Sequence, residues 1–194
     1  MINPTLIFEK IDYLYLKGDK ASENWYSEAN FFCSNLSLIH GIPIRVIAGI
    51  LSSLSVLKRW EQNKEMTETF LECQECKHTT TQAKKAELIY TMKDFNYGID
   101  EAGLDKYIMS VLGGHKTKAF YHNIIYPQSS RYVTLDSWML KAFNEGNLKP
   151  TTKQYQRLSE PFIIKADEHK IPVSSLQARI WTYLRNNKLY GKDF

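Results

Sequence analysis

Gly113-Gly114-His115-Lys116-Thr117-Lys118 is the stretch whose residue types suit the holding of an anion. Two glycines permit positive φ in a tight turn and leave the first amides of a following helix unobstructed. A helix N-terminus with lysines beside it attracts phosphate, and nucleic-acid phosphate is one natural ligand. The same Gly-Gly pair is also an ordinary helix C-cap. Downstream, Val133-Thr134-Leu135-Asp136-Ser137-Trp138 sets a carboxylate between a short apolar run and a helix start. Such an aspartate is most often an N-cap. Held beneath a sugar, it would stabilise the positive charge that builds as an N-glycosidic bond breaks, and would activate a nucleophile.

A lysine amine can instead attack the anomeric carbon and form a Schiff base, where burial or cationic neighbours lower its pKa. Lys116 and Lys118 are two apart and diverge on a helix, so only one of them can face Asp136; phosphate contact is the competing role for both. A base inside a duplex must be flipped out and held between aromatic or apolar walls. Trp138 and Trp60 are the candidate walls, although aromatic residues at helical spacing are usually core. Gln177 and Trp181, four apart, read as a core contact. His115 and His122 are possible phosphate donors, and a lone histidine is more often incidental.

The elements that must position these groups are helical almost throughout. Leu6, Ile7, Ile11 and Leu14 mark a first helix stopping near Gly18. Ser22 caps a second, with Trp25, Ala29, Phe32 and Leu36 on one face before Gly41. Pro43 takes the first position of a third, and serines 52, 53 and 55 interrupt it because their hydroxyls compete for backbone groups. A helix from about Val56 towards Phe70, a loop over 77–82 and a short helix over 84–92 follow. Asp100 caps the helix that ends at Gly113-Gly114; another restarts over 116–124. Residues 126–134 look extended. Asp136 opens a helix ending at Gly146, then come 152–168, kinked or split at Pro161, and 172–189. This predicts an all-α single domain over 1–194 with about nine or ten helices, the hairpin and catalytic-type segment lying at about 104–143.

Apolar residues make up 43% of the chain, enough for a packed interior, and the richest run, Ile42 to Leu57, is broken by Pro43, Arg45 and its serines. No signal peptide is legible, with Glu9 and Asp12 inside the first apolar pattern, so a cytoplasmic protein with no membrane partner is expected. Cys33 reads as core. Cys73-Gln-Glu-Cys76-Lys-His78 has the form of half a metal knuckle without a second half, so neither metal nor cofactor is expected. The net charge of +4 is unevenly spread. Arg179, Arg185, Lys188 and Lys192 occur without an acidic residue between Gln177 and Lys192; Lys116, Lys118, Arg131 and Lys141 face Asp136 alone between Val111 and Lys141. Basic clusters on a balanced surface are how a phosphate-binding face looks; solvated helix faces carry lysines as well.

Taken together, Leu112, Gly114, Lys116 and Thr117, then Val133, Leu135 and Asp136, with Ile50-Leu51-Ser52 upstream, resemble the helix–hairpin–helix DNA glycosylase superfamily over roughly 42–143. That family carries a Leu-Pro-Gly-x-Gly-x-Lys-Thr-Ala hairpin followed by an aspartate in a Val-Asp-Thr-His-Val-type strip. The resemblance implies DNA as the partner, Asp136 as the essential carboxylate, and Lys116 or Lys118 as the family's lysine depending on how the gap is placed. It implies backbone contacts at Gly113, Gly114, His115 and Thr117, with Arg179 and Arg185 added by the basic C-terminal helix. Ser137-Trp138 stands where the family has Thr-His, Leu54 where several members have glutamine, and the four-cysteine iron–sulfur motif is missing. Two other readings stay open: a phage-type thymine hypermodification enzyme acting in host cytoplasm, and a non-catalytic DNA-binding module.

Overall fold

The computed structural model describes residues 4–75, 78–94, 100–143 and 149–189. Among the described residues there are ten α-helices, one 3-10 helix and no strand, so the chain is all-α. In chain order these are α1 (Pro4–Lys17), the 3-10 helix (Lys20–Asn24), α2 (Trp25–His40), α3 (Ile44–Leu54), α4 (Trp60–Cys73), α5 (Thr80–Tyr90), α6 (Glu101–Leu112), α7 (His115–Ile125), α8 (Ser137–Phe143), α9 (Thr152–Glu168) and α10 (Val173–Asn186). They resolve into two compact units, one made of residues 1–28 and 126–194, the other of 29–125.

The continuous unit is organised by α3. Every residue from Val46 to Leu54 is buried, the pattern of a helix enclosed on all sides. Gly49 is what lets its neighbours close in: a Cβ there would stand 2.8 Å from Ile108 Cγ2 on α6 and 3.0 Å from Ile89 Cγ2 on α5. At the entry to α3, Arg45 pairs with Asp105 at 3.1 Å and Glu101 at 3.0 Å, and Asp105 also accepts from the Tyr121 hydroxyl. The serines do not interrupt the helix at 52. Ser53 returns its hydroxyl to the Ile50 carbonyl and Ser55 to that of Ser52, so the chain stays helical until Leu54 and breaks at Ser55. Pro43 is the N-cap rather than the first helical residue, and α5 begins inside the expected loop. Gly41, at φ +65°, ends α2.

In the other unit, Ile11 and Leu14 of α1, Phe162 of α9, and Leu176 and Ile180 of α10 share one apolar core. Leu6, expected on the inner face, is exposed. Gly18 ends α1 at a close approach, since a Cβ would stand 2.7 Å from the Arg179 carbonyl oxygen. The cap that follows is Asp19, not Ser22: its side chain accepts from the Ala21 amide at 3.0 Å and starts the 3-10 helix. Pro161 lies inside α9, which runs unbroken from Thr152 to Glu168 instead of splitting. The expected helix end at Gly146 falls outside the described residues.

Replacing Gly49 with alanine is expected to cost roughly 1–3 kcal/mol by overpacking. Urea denaturation should show a lower midpoint at unchanged slope; a midpoint equal to the parent's would mean that α5 and α6 can move aside.

Candidate nucleic-acid interface

The glycine–lysine turn lies in the continuous unit and Asp136 in the other; the surroundings of each are described in turn. Asp100 accepts from the Gly103 amide at 2.8 Å and starts α6. At the far end Gly113 adopts φ +74° and ψ −55°, and its amide bonds the Met109 carbonyl. The last carbonyl of α6, on Leu112, receives the Lys85 ammonium of α5 at 2.7 Å, a cation at the negative end of a helix. Helix α7 restarts at once, Lys118 N–H bonding the Gly114 carbonyl at 3.0 Å. An α-helix gives its first amides no internal acceptor, and here the cap position is a glycine without a side chain.

The side chains of this turn divide by direction. Gly113, Gly114 and His115 are exposed. Thr117 is buried, with its hydroxyl donated to the Gly114 carbonyl at 3.0 Å, so it shapes the turn from inside. Lys116 turns inward as well: Nζ donates to Ser55 Oγ at 3.0 Å and lies 5.4 Å from the Phe120 ring centroid. Lys118 is half-buried, and its ammonium donates no hydrogen bond among the described residues. The two lysines diverge as their spacing requires, and Lys118 is the one left to meet an external anion.

Lys116 fixes a segment that the sequence did not single out. Ser55, which it contacts, begins the turn between α3 and α4. Within that turn Leu57 is 94% exposed and sits at φ +59°. Positive φ in a leucine carries strain that glycine would avoid. The turn is held from several sides: His78 Nε2 donates to the Val56 carbonyl at 3.0 Å, Lys58 N–H reaches the Ser55 carbonyl, and Arg59 N–H bonds Gln62 Oε1. His78 Nδ1 accepts from the Thr79 amide, which engages both ring nitrogens. Cys73 is exposed, its thiol on the Thr69 carbonyl, and Cys76 lies outside the described residues. Trp60, at the start of α4, packs edge-on to Phe32 with Lys64 over its ring at 5.6 Å.

In the discontinuous unit, Asp136 caps α8. Its Oδ1 accepts from the amides of Trp138 at 2.9 Å and Met139 at 3.1 Å, and its Oδ2 accepts from Trp181 Nε1 at 2.7 Å. The run leading to it is fixed by Tyr155, whose hydroxyl donates to the Val133 carbonyl at 2.8 Å and accepts from Leu135 N–H at 2.9 Å. Burial pushes that hydroxyl well above the usual tyrosine range, so it remains a donor at any physiological pH. Gln177 is core, accepting from Tyr26 at 2.8 Å, while Trp181 of the same face reaches Asp136. Arg179 is engaged within its unit: it bonds the Gly18 carbonyl and Glu23 and lies over the Tyr15 ring at 4.1 Å. Arg185 stacks on Trp181 at 5.0 Å, and Lys141 lies 5.9 Å from the Trp138 ring centroid.

Two substitutions isolate the turn. Gly113→Ala should cost roughly 1–2 kcal/mol because the residue must keep a positive φ. Gly114→Ala, whose Cβ would stand 3.4 Å from Thr117 Oγ1, should stay within about 0.5 kcal/mol of the parent. Equal denaturation midpoints for the pair would contradict this division of labour. Tyr155→Phe strands the Leu135 amide and should lower stability by about 1–3 kcal/mol, measured in the same way.

No curated protein and no solved structure matches the chain. A family model does match, over residues 16–188, and so takes in both the turn and Asp136. The chain belongs to DUF7178, a family of unknown function.

Proposed function

We propose that the chain binds DNA through the α6–α7 hairpin and the adjoining α3–α4 turn. The observation that carries this reading is the 3.0 Å contact of Lys116 Nζ with Ser55 Oγ, which joins the two segments. On one side of it are the exposed start of α7 and Lys118, suited to a backbone phosphate. On the other is Leu57, exposed on a well-bonded turn and followed by Lys58 and Arg59. An apolar side chain beside cations suits insertion at a base step, where it gains stacking contact while the cations meet phosphate.

The finer reading is a glycosylase-like reaction on a flipped base, with Asp136 as the carboxylate that stabilises charge at the sugar. Its support is the family likeness of the 104–143 segment and the start of α8, where a helix favours negative charge. Three N–H donors already meet the carboxylate, which fits an electrostatic role better than proton abstraction.

Duplex binding followed by anisotropy tests the first part. Lys118→Ala should weaken binding by about threefold to tenfold and flatten the slope of log K against log salt by about one. Leu57→Ser should weaken binding most on a duplex holding a mismatch, where the stack opens easily. Affinity indifferent to both changes overturns the assignment. For the reaction, release of base from uracil-, oxoguanine- or hydroxymethyluracil-containing duplexes should vanish in Asp136→Asn with DNA affinity intact. Binding without release in the parent protein leaves a DNA-binding module.

A further inference from the structure

The continuous unit carries an apolar face that belongs to neither the hairpin nor the α3–α4 turn. Along α2, Ala29, Cys33 and Leu36 are buried, while Phe31, Asn35, Leu38 and Ile39 stand exposed on the opposite side. Phe31, Asn35 and Leu38 follow the i, i+4, i+7 spacing of one helical stripe, and Ile39 flanks it one turn beyond Asn35. The stripe rides on a well-held helix: Asn30 Nδ2 donates to the Ile124 carbonyl at 2.8 Å, and Ser37 Oγ to that of Ile42 at 2.6 Å. No residue between Glu28 and His40 carries a charge. Exposure reaches 67% at Phe31, 84% at Leu38 and 73% at Ile39. Together these three present roughly 400 Å² of apolar surface, the size at which an exposed patch marks an interaction site.

We infer that this face pairs with the same face of a second copy of the chain, the two α2 helices lying antiparallel about a two-fold axis at Asn35. That axis sets Phe31 of each copy against Leu38 and Ile39 of the other, so each large apolar side chain of the stripe meets another. At the axis the two Asn35 carboxamides face each other, and each donates an N–H to the other's carbonyl. This fixes the register, as a single buried asparagine does in paired helices. A parallel pair would instead bring the two Glu28 carboxylates, one turn before Phe31, to the same end. Interface cores are about 65% apolar, so a face built on this patch buries about 600 Å² per copy and about 1,200 Å² in all, the lower bound of a specific interface. A lipid surface also takes apolar side chains, but helices that lie on one carry lysine and arginine, and α2 has neither. The inference does not rest on the hairpin reading.

Sedimentation equilibrium of the full chain, over about 1–300 μM, tests the pairing. The mass should climb from 22.6 kDa towards twice that value. Leu38→Glu should raise the dissociation constant about tenfold or more. Asn35→Asp should raise it about threefold to tenfold, because it sets carboxylate against carboxylate only where the position meets itself. Phe31→Lys should act like Leu38→Glu, whereas an equimolar mixture of those two variants should recover association, since the antiparallel pair brings lysine to glutamate. Leu57→Ser should leave the mass unchanged. All four positions are exposed, and circular dichroism checks that the variants fold. The inference is overturned by a mass that stays at one chain throughout, by dimers indifferent to Leu38→Glu and Asn35→Asp, by a mixture that fails to associate, or by dimers lost in Leu57→Ser. Binding to phosphatidylglycerol vesicles that needs Leu38 while the chain stays monomeric would overturn it in favour of a lipid surface.

Discussion

The complete burial of α3 is the constraint on which the continuous unit depends. A helix enclosed on all sides must be covered on all sides, and α4, α5, α6 and α7 supply that cover. Gly49 sets how near α5 and α6 can come, and Arg45 anchors the entry by pairing with Asp105 and Glu101 of α6. Because α6 is fixed there, its far end is fixed too, and that end is the Gly113 turn. The position of the candidate phosphate site therefore follows from packing around a helix that touches no ligand.

The exit of α3 matters in a different way. A helix as apolar as this one must end among groups that can meet its last carbonyls. The serines do so locally, and Lys116 then reaches Ser55 from α7. One polar patch thereby links the end of one helix to the start of another, and the strained turn carrying Leu57 grows from it. Burial dictates the scaffold, and the polar leftovers of burial decide which loops stand beside one another.

Much of this was legible in the sequence, for local reasons. Gly18, Gly41 and Gly113 end helices, and Asp100 starts one through its own side chain, because caps act within a few residues. Asp136 was readable as a helix start on the same ground. What escaped was set at long range. That Lys116 faces Ser55 and Lys118 does not could not be known without the packing of α3 on α7. The indole that holds Asp136 comes from forty-five positions downstream. Leu57 has no glycine or asparagine to announce its positive φ, so the turn looked like the start of a helix. Ser22 lost the cap to Asp19 because a short 3-10 turn came first. Arg179 looked like a phosphate ligand until Glu23 and the end of α1 claimed it.

The division of the chain has a consequence for how the molecule is made. Residues 29–125 form one unit from an unbroken stretch, whereas the other is assembled from 1–28 and 126–194. The first can complete its contacts as soon as Ile125 has left the ribosome. The second must wait: the core of Ile11 and Leu14 lacks Phe162, Leu176 and Ile180 until α9 and α10 are synthesised. The apolar face of α1 thus waits while residues 29–125 are made, and its unit closes only after that whole stretch. Order of synthesis and order of folding are inverted for α1, which is made before residues 29–125 and docks after them.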